Sequence, residues 1–152
     1  MKNLILFTII VLSLSAFSCG SKYSNEPRIA FLLNLESGIY SFVANIRSNE
    51  ADANKGSYKI FEDMTSKTVN EIRNLQIPNL EEAVSLKTQT IKMIDSTFKY
   101  DLKSPYTPKE SVNNSELYYS VSERPVMKYL SKESLNIITR IKSQKLRFGI
   151  KD

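Results

Sequence analysis

The sequence predicts an all-α protein, a small bundle of about four helices that follows an N-terminal export segment. Apolar residues recur at alternating spacings of three and four over several long stretches, which is the period of one helix face. The chain has only 4 glycines in 152 residues, fewer than proteins built from strands and tight turns usually need. Its hydrophobic content of 41% is enough for one modest core, and one domain is the expectation at this length.

The N-terminal segment is typical of a secretory signal peptide. Residues 4–17 are almost wholly apolar and follow the positively charged start Met1-Lys2. As a helix this segment would be about 21 Å long, which is short for a bilayer core of about 30 Å. A charged start, a short apolar run and then small residues define a signal peptide. We therefore expect residues 1–18 to be removed and the protein to be exported.

The single cysteine, Cys19, lies at the expected cleavage region, after Ala16-Phe17-Ser18 and before Gly20. This segment resembles the lipobox of bacterial lipoproteins. There the thiol receives a diacylglycerol, the chain is cut before the cysteine, and the new amine is acylated, for example with palmitate. Ala16 stands where the commonest box has leucine, a relaxation similar to that of spirochaete or Bacteroidetes lipoproteins. The alternative is a plain secretory signal with an incidental cysteine.

The resemblance implies a protein held in the bacterial cell envelope by lipid at Cys19, in the outer membrane or at the cell surface. Residues 19–26 would then be a flexible acylated tether and residues 27–149 the helical domain. The Lys-, Asn-, Ile- and Ser-rich composition also resembles that of small helical surface lipoproteins of spirochaetes. That likeness implies a surface antigen-like role, in which the domain is presented to a protein or host partner.

The first helix of the domain is predicted over residues 28–49, directly after Pro27, which suits a first helical turn. Gly38 costs about 1 kcal/mol there relative to alanine, so we expect it to mark close packing with a neighbour. Residues 49–57 are polar and are predicted to form a turn. The predicted apolar stripe of this helix consists of Leu32, Leu35, Ile39, Phe42 and Ile46.

The second and third helices are predicted over residues 57–75 and 80–100, with Pro78 between them. Asn79 is predicted to cap the third helix, with Glu82 three places on as in a capping box. The predicted inward residues of the second helix are Phe61, Met64, Thr68, Ile72 and Leu75. Those of the third are Leu80, Ala83, Val84, Ile91, Ile94 and Phe98.

Residues 101–121 are the least regular stretch, and Tyr100, Tyr106, Tyr118 and Tyr119 cluster in or beside it. The last helix is predicted to be capped by Ser122 or Glu123, to have Pro125 in its first turn and to end near Gly149. Its predicted apolar face consists of Val126, Met127, Leu130, Ile137, Ile138 and Ile141. An antiparallel bundle is the simplest arrangement, and orthogonal packing is the alternative.

The composition excludes several chemistries. The chain has no histidine, which removes the usual general base and the commonest metal ligand. A lone cysteine excludes intramolecular disulfides and thiolate zinc cages. The sequence contains none of the common nucleotide-binding, hydrolase or metalloprotease motifs. We therefore expect a non-enzymatic protein with no catalytic residue, no metal and no cofactor.

Charge is unevenly distributed. Residues 124–152 hold eight basic and two acidic residues, a net charge of +6, whereas residues 20–123 hold 12 basic and 14 acidic residues. The last helix is therefore a candidate surface for a polyanion such as an anionic glycan; the alternative is an ordinary solvated helix. Nucleic acid is not an expected partner for an exported protein. The candidate binding residues are Lys128, Lys132, Arg140, Lys142, Lys145 and Arg147.

Overall fold

A computed structural model describes residues 26–52, 58–102 and 124–150 of the chain. Within these ranges the chain forms four α-helices and no strand, which confirms the predicted fold class. Cys19, the signal peptide 1–18 and the rest of the tether before residue 26 lie outside the described residues. The helices are α1 (Pro27–Asp52), α2 (Tyr58–Asn74), α3 (Ala83–Thr97) and α4 (Pro125–Arg147).

The four helices pack as a bundle in which α4 runs antiparallel to α1. α1 packs against α2 and α4, and α3 packs against α4 and, less extensively, against α2. The direction of α4 relative to α1 follows from two contacts, one at each pole of the bundle. The guanidinium of Arg28 lies 5.0 Å from the ring centre of Phe148, and Arg124 forms an ion pair with Glu50. The first and last helices are therefore neighbours, and α1 lies between its two main partners.

The first and last helices have the apolar faces that the sequence predicts. All five members of the predicted α1 stripe are completely buried, and the six predicted residues of α4 are buried as well. α1 therefore forms the central part of the core, since its stripe faces α2 and α4 together.

The predicted faces of the two middle helices were wrong at three positions. Met64, Val84 and Phe98 are about half exposed. Their places in the core are taken partly by threonines, because a helical threonine can donate its hydroxyl proton to the carbonyl four residues earlier. Thr90 and Thr97 are completely buried, and each Oγ1 lies 2.8 Å from such a carbonyl oxygen. The other buried residues that the prediction missed are Thr65, Val69, Leu86 and Met93.

α1 extends to Asp52, beyond the predicted end at residue 49, because polar residues of the predicted turn have distant partners. Asn49 is buried, and its Nδ2 donates to the carbonyl oxygen of Leu102 at 3.0 Å. Glu50 is 1% exposed and contacts the guanidinium of Arg124. The prediction of a polar turn over residues 49–57 was therefore wrong at residues 49–52, and residues 53–57 lie outside the described residues.

The predicted caps of α3 and α4 were wrong as well. Glu82 itself occupies the N-cap position of α3, and Arg124 occupies that of α4, each without a side-chain capping bond. Ser122 and Glu123 lie outside the described residues. Pro125 does occupy the first turn of α4, as predicted.

The start of α1 and the end of α4 are both capped, and they lie at the same pole of the bundle. The Glu26 carboxylate accepts the backbone N–H of Arg28 at 3.2 Å, which satisfies one free donor at the start of α1. Hydrogen bonds from Arg28 lower the pKa of Glu26 to about 2. At the other terminus Gly149 has a φ of +73°, and Ile150 N–H donates to Lys145 C=O at 3.1 Å. This Schellman motif confirms the predicted end of the last helix near Gly149.

Gly38 packs closely against a neighbouring helix, as the sequence predicts, and that neighbour is α2. A Cβ atom at this position would lie 2.7 Å from Cγ1 of Ile72 and 3.0 Å from its Cδ1. Ile72 is 1% exposed, so its side chain has little room to move. The glycine therefore fixes how closely the two helices pack.

We expect Gly38→Ala to lower the free energy of unfolding by about 1 kcal/mol, measured by urea denaturation. Alanine gains about 1 kcal/mol of helix propensity, but the overpacking against Ile72 costs more, typically about 1–3 kcal/mol. In an Ile72→Ala background, the same Gly38→Ala change should instead stabilise the protein. Ser37→Ala, at an exposed neighbouring position, is the control for propensity alone. A Gly38→Ala variant that is more stable than the original chain would contradict the close packing.

Candidate functional site

The candidate site is the outer surface of α4, and the structure separates its six predicted basic residues into distinct environments. Lys145 is 5% exposed, and its Nζ donates to Oε2 of Glu36 on α1 at 2.9 Å. Its charge is matched inside the bundle. The prediction that Lys145 contributes to a binding surface is therefore corrected: Lys145 is part of the α1–α4 contact.

Arg140 is likewise occupied by contacts within the bundle. Its Nη2 donates to Oε2 of Glu82 at 2.7 Å and to Oγ of Ser85 at 3.1 Å, and its Nη1 donates to Gln89. These partners all belong to α3 or its N-cap. The Arg140 guanidinium therefore joins α4 to α3, on the side of α4 away from α1.

The remaining four basic residues lie on the solvent side of α4. Lys128, Lys132 and Arg147 are exposed and Lys142 is partly buried. Arg147 lies apart from the three lysines around the helix and contacts Gln144 through Nη1 at 3.4 Å. The structure therefore brings together Lys128, Lys132 and Lys142, but not all six predicted residues.

The three lysines belong to a stripe that also includes leucines. Residues 128, 132, 135, 139, 142 and 146 follow each other at spacings of four and three, so they share one side of α4. Leu135 is 66% exposed and Leu146 is 63% exposed. These leucines were not part of the predicted surface, because that prediction was made from charges alone, although their spacing is visible in the sequence.

The stripe borders an open groove of about 660 Å³ between α4 and α1. Lys142 lies on one side of this groove, and Leu33 and Tyr40 of α1, both exposed, lie on the other. We use the term α1–α4 face for the surface that consists of Leu33, Tyr40, Lys128, Lys132, Leu135, Lys142 and Leu146.

A buried charge pair lies at the opposite pole of the bundle from Gly149. Glu50 contacts Arg124, and burial raises the pKa of the Glu50 carboxyl group. Arg124 opposes this shift, and the nearby Asp101 adds to it. Together with the bond from Asn49 to Leu102, this pair connects Leu102 and Arg124 to the C-terminal part of α1. The role of this arrangement is therefore structural: it holds Leu102 and Arg124 against the end of α1.

The other described surfaces have fewer side chains that could form a binding or catalytic site. A groove of about 340 Å³ between α1 and α2 is lined mainly by small or polar residues, with Glu71 at its edge. Within the described ranges, no three acidic or cysteine side chains come together as metal ligands would. Tyr100 packs against Tyr129 with ring centres 5.9 Å apart. Tyr106, Tyr118 and Tyr119 lie outside the described residues.

One described segment, Pro27–Glu50 of α1, is long and apolar enough to cross a membrane by length and composition alone. The same test is passed by core helices of soluble bundles. The apolar stripe of α1 packs against α2 and α4, which accounts for its composition.

Comparisons with protein-family models, with curated proteins and with solved structures give no match to this chain. The interpretation of the candidate site therefore depends on its own geometry and on the sequence.

We expect Lys145→Met to lower the free energy of unfolding by about 3 kcal/mol, because Glu36 would keep a buried charge without this partner. Replacing both residues, Glu36→Leu with Lys145→Met, should restore most of the loss, since apolar pairs often substitute for buried ion pairs. Arg73→Met removes an exposed ion pair of 2.8 Å to Asp95 and should cost less than about 1 kcal/mol. A loss in the double variant equal to the sum of the single losses would contradict this account.

The raised pKa of Glu50 predicts a pH dependence of stability. The folded chain holds this proton to a higher pH than the unfolded chain, whose carboxyl has a pKa near 4.5. The resulting stabilisation is complete below that pH and is lost as pH rises through the folded pKa. Glu50→Gln should remove this decline in urea denaturation midpoints, whereas the exposed Glu81→Gln should keep it. Parallel pH profiles for Glu50→Gln and the original chain would contradict the assignment.

Proposed function

We propose that this chain is a lipid-anchored protein of the bacterial cell envelope, without enzymatic activity, that presents its helical bundle to a protein or host partner. The observation that carries the proposal is Cys19 in its lipobox-like segment, at the end of a short apolar N-terminal segment. The outer membrane or the cell surface is the proposed location.

The position of the folded domain supports this proposal. The Glu26 carboxylate caps α1, and Pro27, the first residue of α1, lies eight positions after Cys19. The seven residues between them, GSKYSNE, are mostly polar and suit a spacer between a lipid and a domain. An acyl anchor also supplies membrane attachment without a spanning helix, since each buried CH₂ contributes about 0.8 kcal/mol and two or three chains hold firmly.

The alternative proposal is a polyanion-binding module on the last helix, and fewer of its predicted residues are suited to that role in the structure. Lys145 and Arg140 are engaged with Glu36 and Glu82, so they are poor candidates for an external ligand. Of the other four predicted residues, Lys128, Lys132 and Arg147 are exposed and Lys142 is partly buried, and this exposure makes them the candidates for a glycan such as a glycosaminoglycan. Three of these four residues share their side of α4 with exposed leucines.

The proposal predicts a lipid mass on the native protein. Intact-mass analysis of the chain isolated from its own envelope should give a chain starting at Cys19 and carrying acyl groups. Cys19→Ser should abolish the mass increment and move the protein out of the membrane fraction. Ser18→Ala, which keeps a small residue before the cysteine, should be processed normally. A mature chain that is unacylated, or that starts at another residue, would contradict the proposal.

Protease treatment of whole cells then distinguishes the surface from the periplasm. If the bundle is presented at the cell surface, intact cells should lose it on treatment, whereas a periplasmic protein used as a marker should survive. Survival of the bundle in intact cells would place the protein on an inner face of the envelope and would contradict surface presentation.

A further inference from the structure

A groove with an apolar lining lies where α1 begins. It has a volume of about 470 Å³ and is formed by the first two turns of α1 and by the end of α2 with the segment that follows it. Small-molecule sites have volumes of about 300–1,000 Å³ and are lined mainly by apolar side chains. We call it the N-terminal groove, and its six apolar lining residues are Pro27, Ala30, Phe31, Leu75, Ile77 and Pro78.

We propose that the N-terminal groove binds one acyl chain of the lipid attached to Cys19. The inference rests on the proposed function, because it requires that lipid. It goes further in assigning a ligand site on the folded domain and the hydrocarbon that fills it. The bundle would then be held close to its anchor, while the remaining acyl chains enter the bilayer.

The charge of the lining favours a neutral hydrocarbon. None of the nine residues that line the N-terminal groove is charged. The three polar ones carry amides: Asn34, Asn74 and Gln76. Two cations beside the groove have partners already, since Arg28 donates to the Glu26 carboxylate and Lys87 Nζ donates to the carbonyl oxygen of Leu75 at 2.6 Å.

This lack of charge also distinguishes the lipid at Cys19 from a free fatty acid. A free fatty acid has a carboxylate, and a carboxylate is costly to bury without a cation. The acyl chains of a lipidated cysteine have no such group, because each carboxyl is already an ester or an amide. The lining is therefore suited to an acyl chain that is already attached.

The groove is long enough for such a chain. Asn34, Asn74 and Leu75 also line the α1–α2 groove of about 340 Å³, so the two grooves adjoin. Together they follow α1 from Pro27 to Ser41, a distance of about 21 Å. The hydrocarbon core of a bilayer is about 30 Å thick, so one acyl chain of a leaflet extends about 15 Å. A chain that enters beside Pro27 therefore fits within the two grooves.

The lipid at Cys19 would be attached close to this groove. Pro27 is the first residue of α1 and also part of the groove lining. Cys19 lies eight positions earlier, so the lipid is within about 28 Å of the groove along the chain. A short flexible linker gives an effective concentration in the millimolar range. The attached lipid is therefore favoured over unattached ones.

Exposed apolar side chains elsewhere lack this concave setting. Ile60 and Met64 on α2 are 62% and 53% exposed, but they line none of the grooves described above. Single exposed apolar residues are normal in soluble proteins. Ile77, which is 48% exposed, instead shares the N-terminal groove with Phe31, which is 3% exposed. The concave arrangement, and not exposure alone, is what suits a hydrocarbon.

A photoreactive fatty acid tests the proposal. Cells that make the protein are grown with a palmitate analogue that carries a diazirine in the middle of its chain. The full acylated protein is then purified, reconstituted into unlabelled phosphatidylcholine vesicles and irradiated. Mass spectrometry of its peptides should find cross-links at Phe31 and Leu75, several-fold above those at Ile60 and Met64. Equal yields at the two pairs of residues would contradict the proposal.

Two pairs of variants identify the groove. Ile77→Asn makes its lining more polar and Ala30→Phe fills it, so each should lower the cross-linking yield at Leu75 about tenfold. The controls Ile60→Asn and Ala44→Phe make the same changes at exposed positions outside the groove and should leave the yield unchanged. Circular dichroism checks that all four variants are folded. An unchanged yield in either groove variant, or an equal loss in its control, would overturn the proposal.

The remaining outcomes separate the other occupants. Acyl groups in the intact mass, with cross-links only to phospholipid or to residues 20–25, would overturn this inference and leave the proposed function in place. An intact mass without acyl groups would overturn both. Cross-links to an isotope-labelled copy that lacks the analogue would favour a second copy over the chain's own lipid. Cross-links at Phe31 and Leu75 from photoreactive phosphatidylcholine, with none from the Cys19 lipid, would overturn the inference in favour of a bilayer lipid.

Discussion

Burial of one continuous apolar stripe on α1 is the constraint on which the rest of the structure depends. Five side chains from Leu32 to Ile46 are completely buried, and they face α2 on one side and α4 on the other. Charged groups then fix the register of α1 against α4. The buried pairs Glu36–Lys145 and Glu50–Arg124 lie at different levels of the contact, and Arg28 lies over Phe148 at its end. A slide of one turn, about 5.4 Å, would separate all of these groups.

The sequence predicts the fold well where helix periodicity and apolar composition agree. α1 and α4 have strong stripes, and both their inner faces and the end of α4 near Gly149 were predicted. The middle helices were predicted less well because threonine is counted as polar although its hydroxyl is satisfied within the helix, as at Thr90 and Thr97. The end of α1 was missed because Asn49 takes its partner from Leu102, 53 residues away. No local pattern contains such a contact.

The ion pairs of the candidate site could not be predicted from local sequence patterns either. Counting charges located the basic helix, but it could not determine which cations are paired. Lys145 finds its carboxylate 109 residues away on α1, and Arg140 finds one 58 residues away at the start of α3. Both pairings depend on how the helices pack. The exposed leucines at 135 and 146 lie on the same side of α4 as three of the lysines, but a surface predicted from charge alone does not include them.

The contact between Arg28 and Phe148 places the first turn of α1 and the end of α4 at one pole of the bundle. The same packing could therefore be reached with the helices in a different order along the chain. Closely placed ends are what allows circular permutation: a short peptide joining residue 150 to residue 26, with new ends opened between α3 and α4, would keep every described helix beside its present neighbours. The same core would then form from a chain that begins with the basic helix.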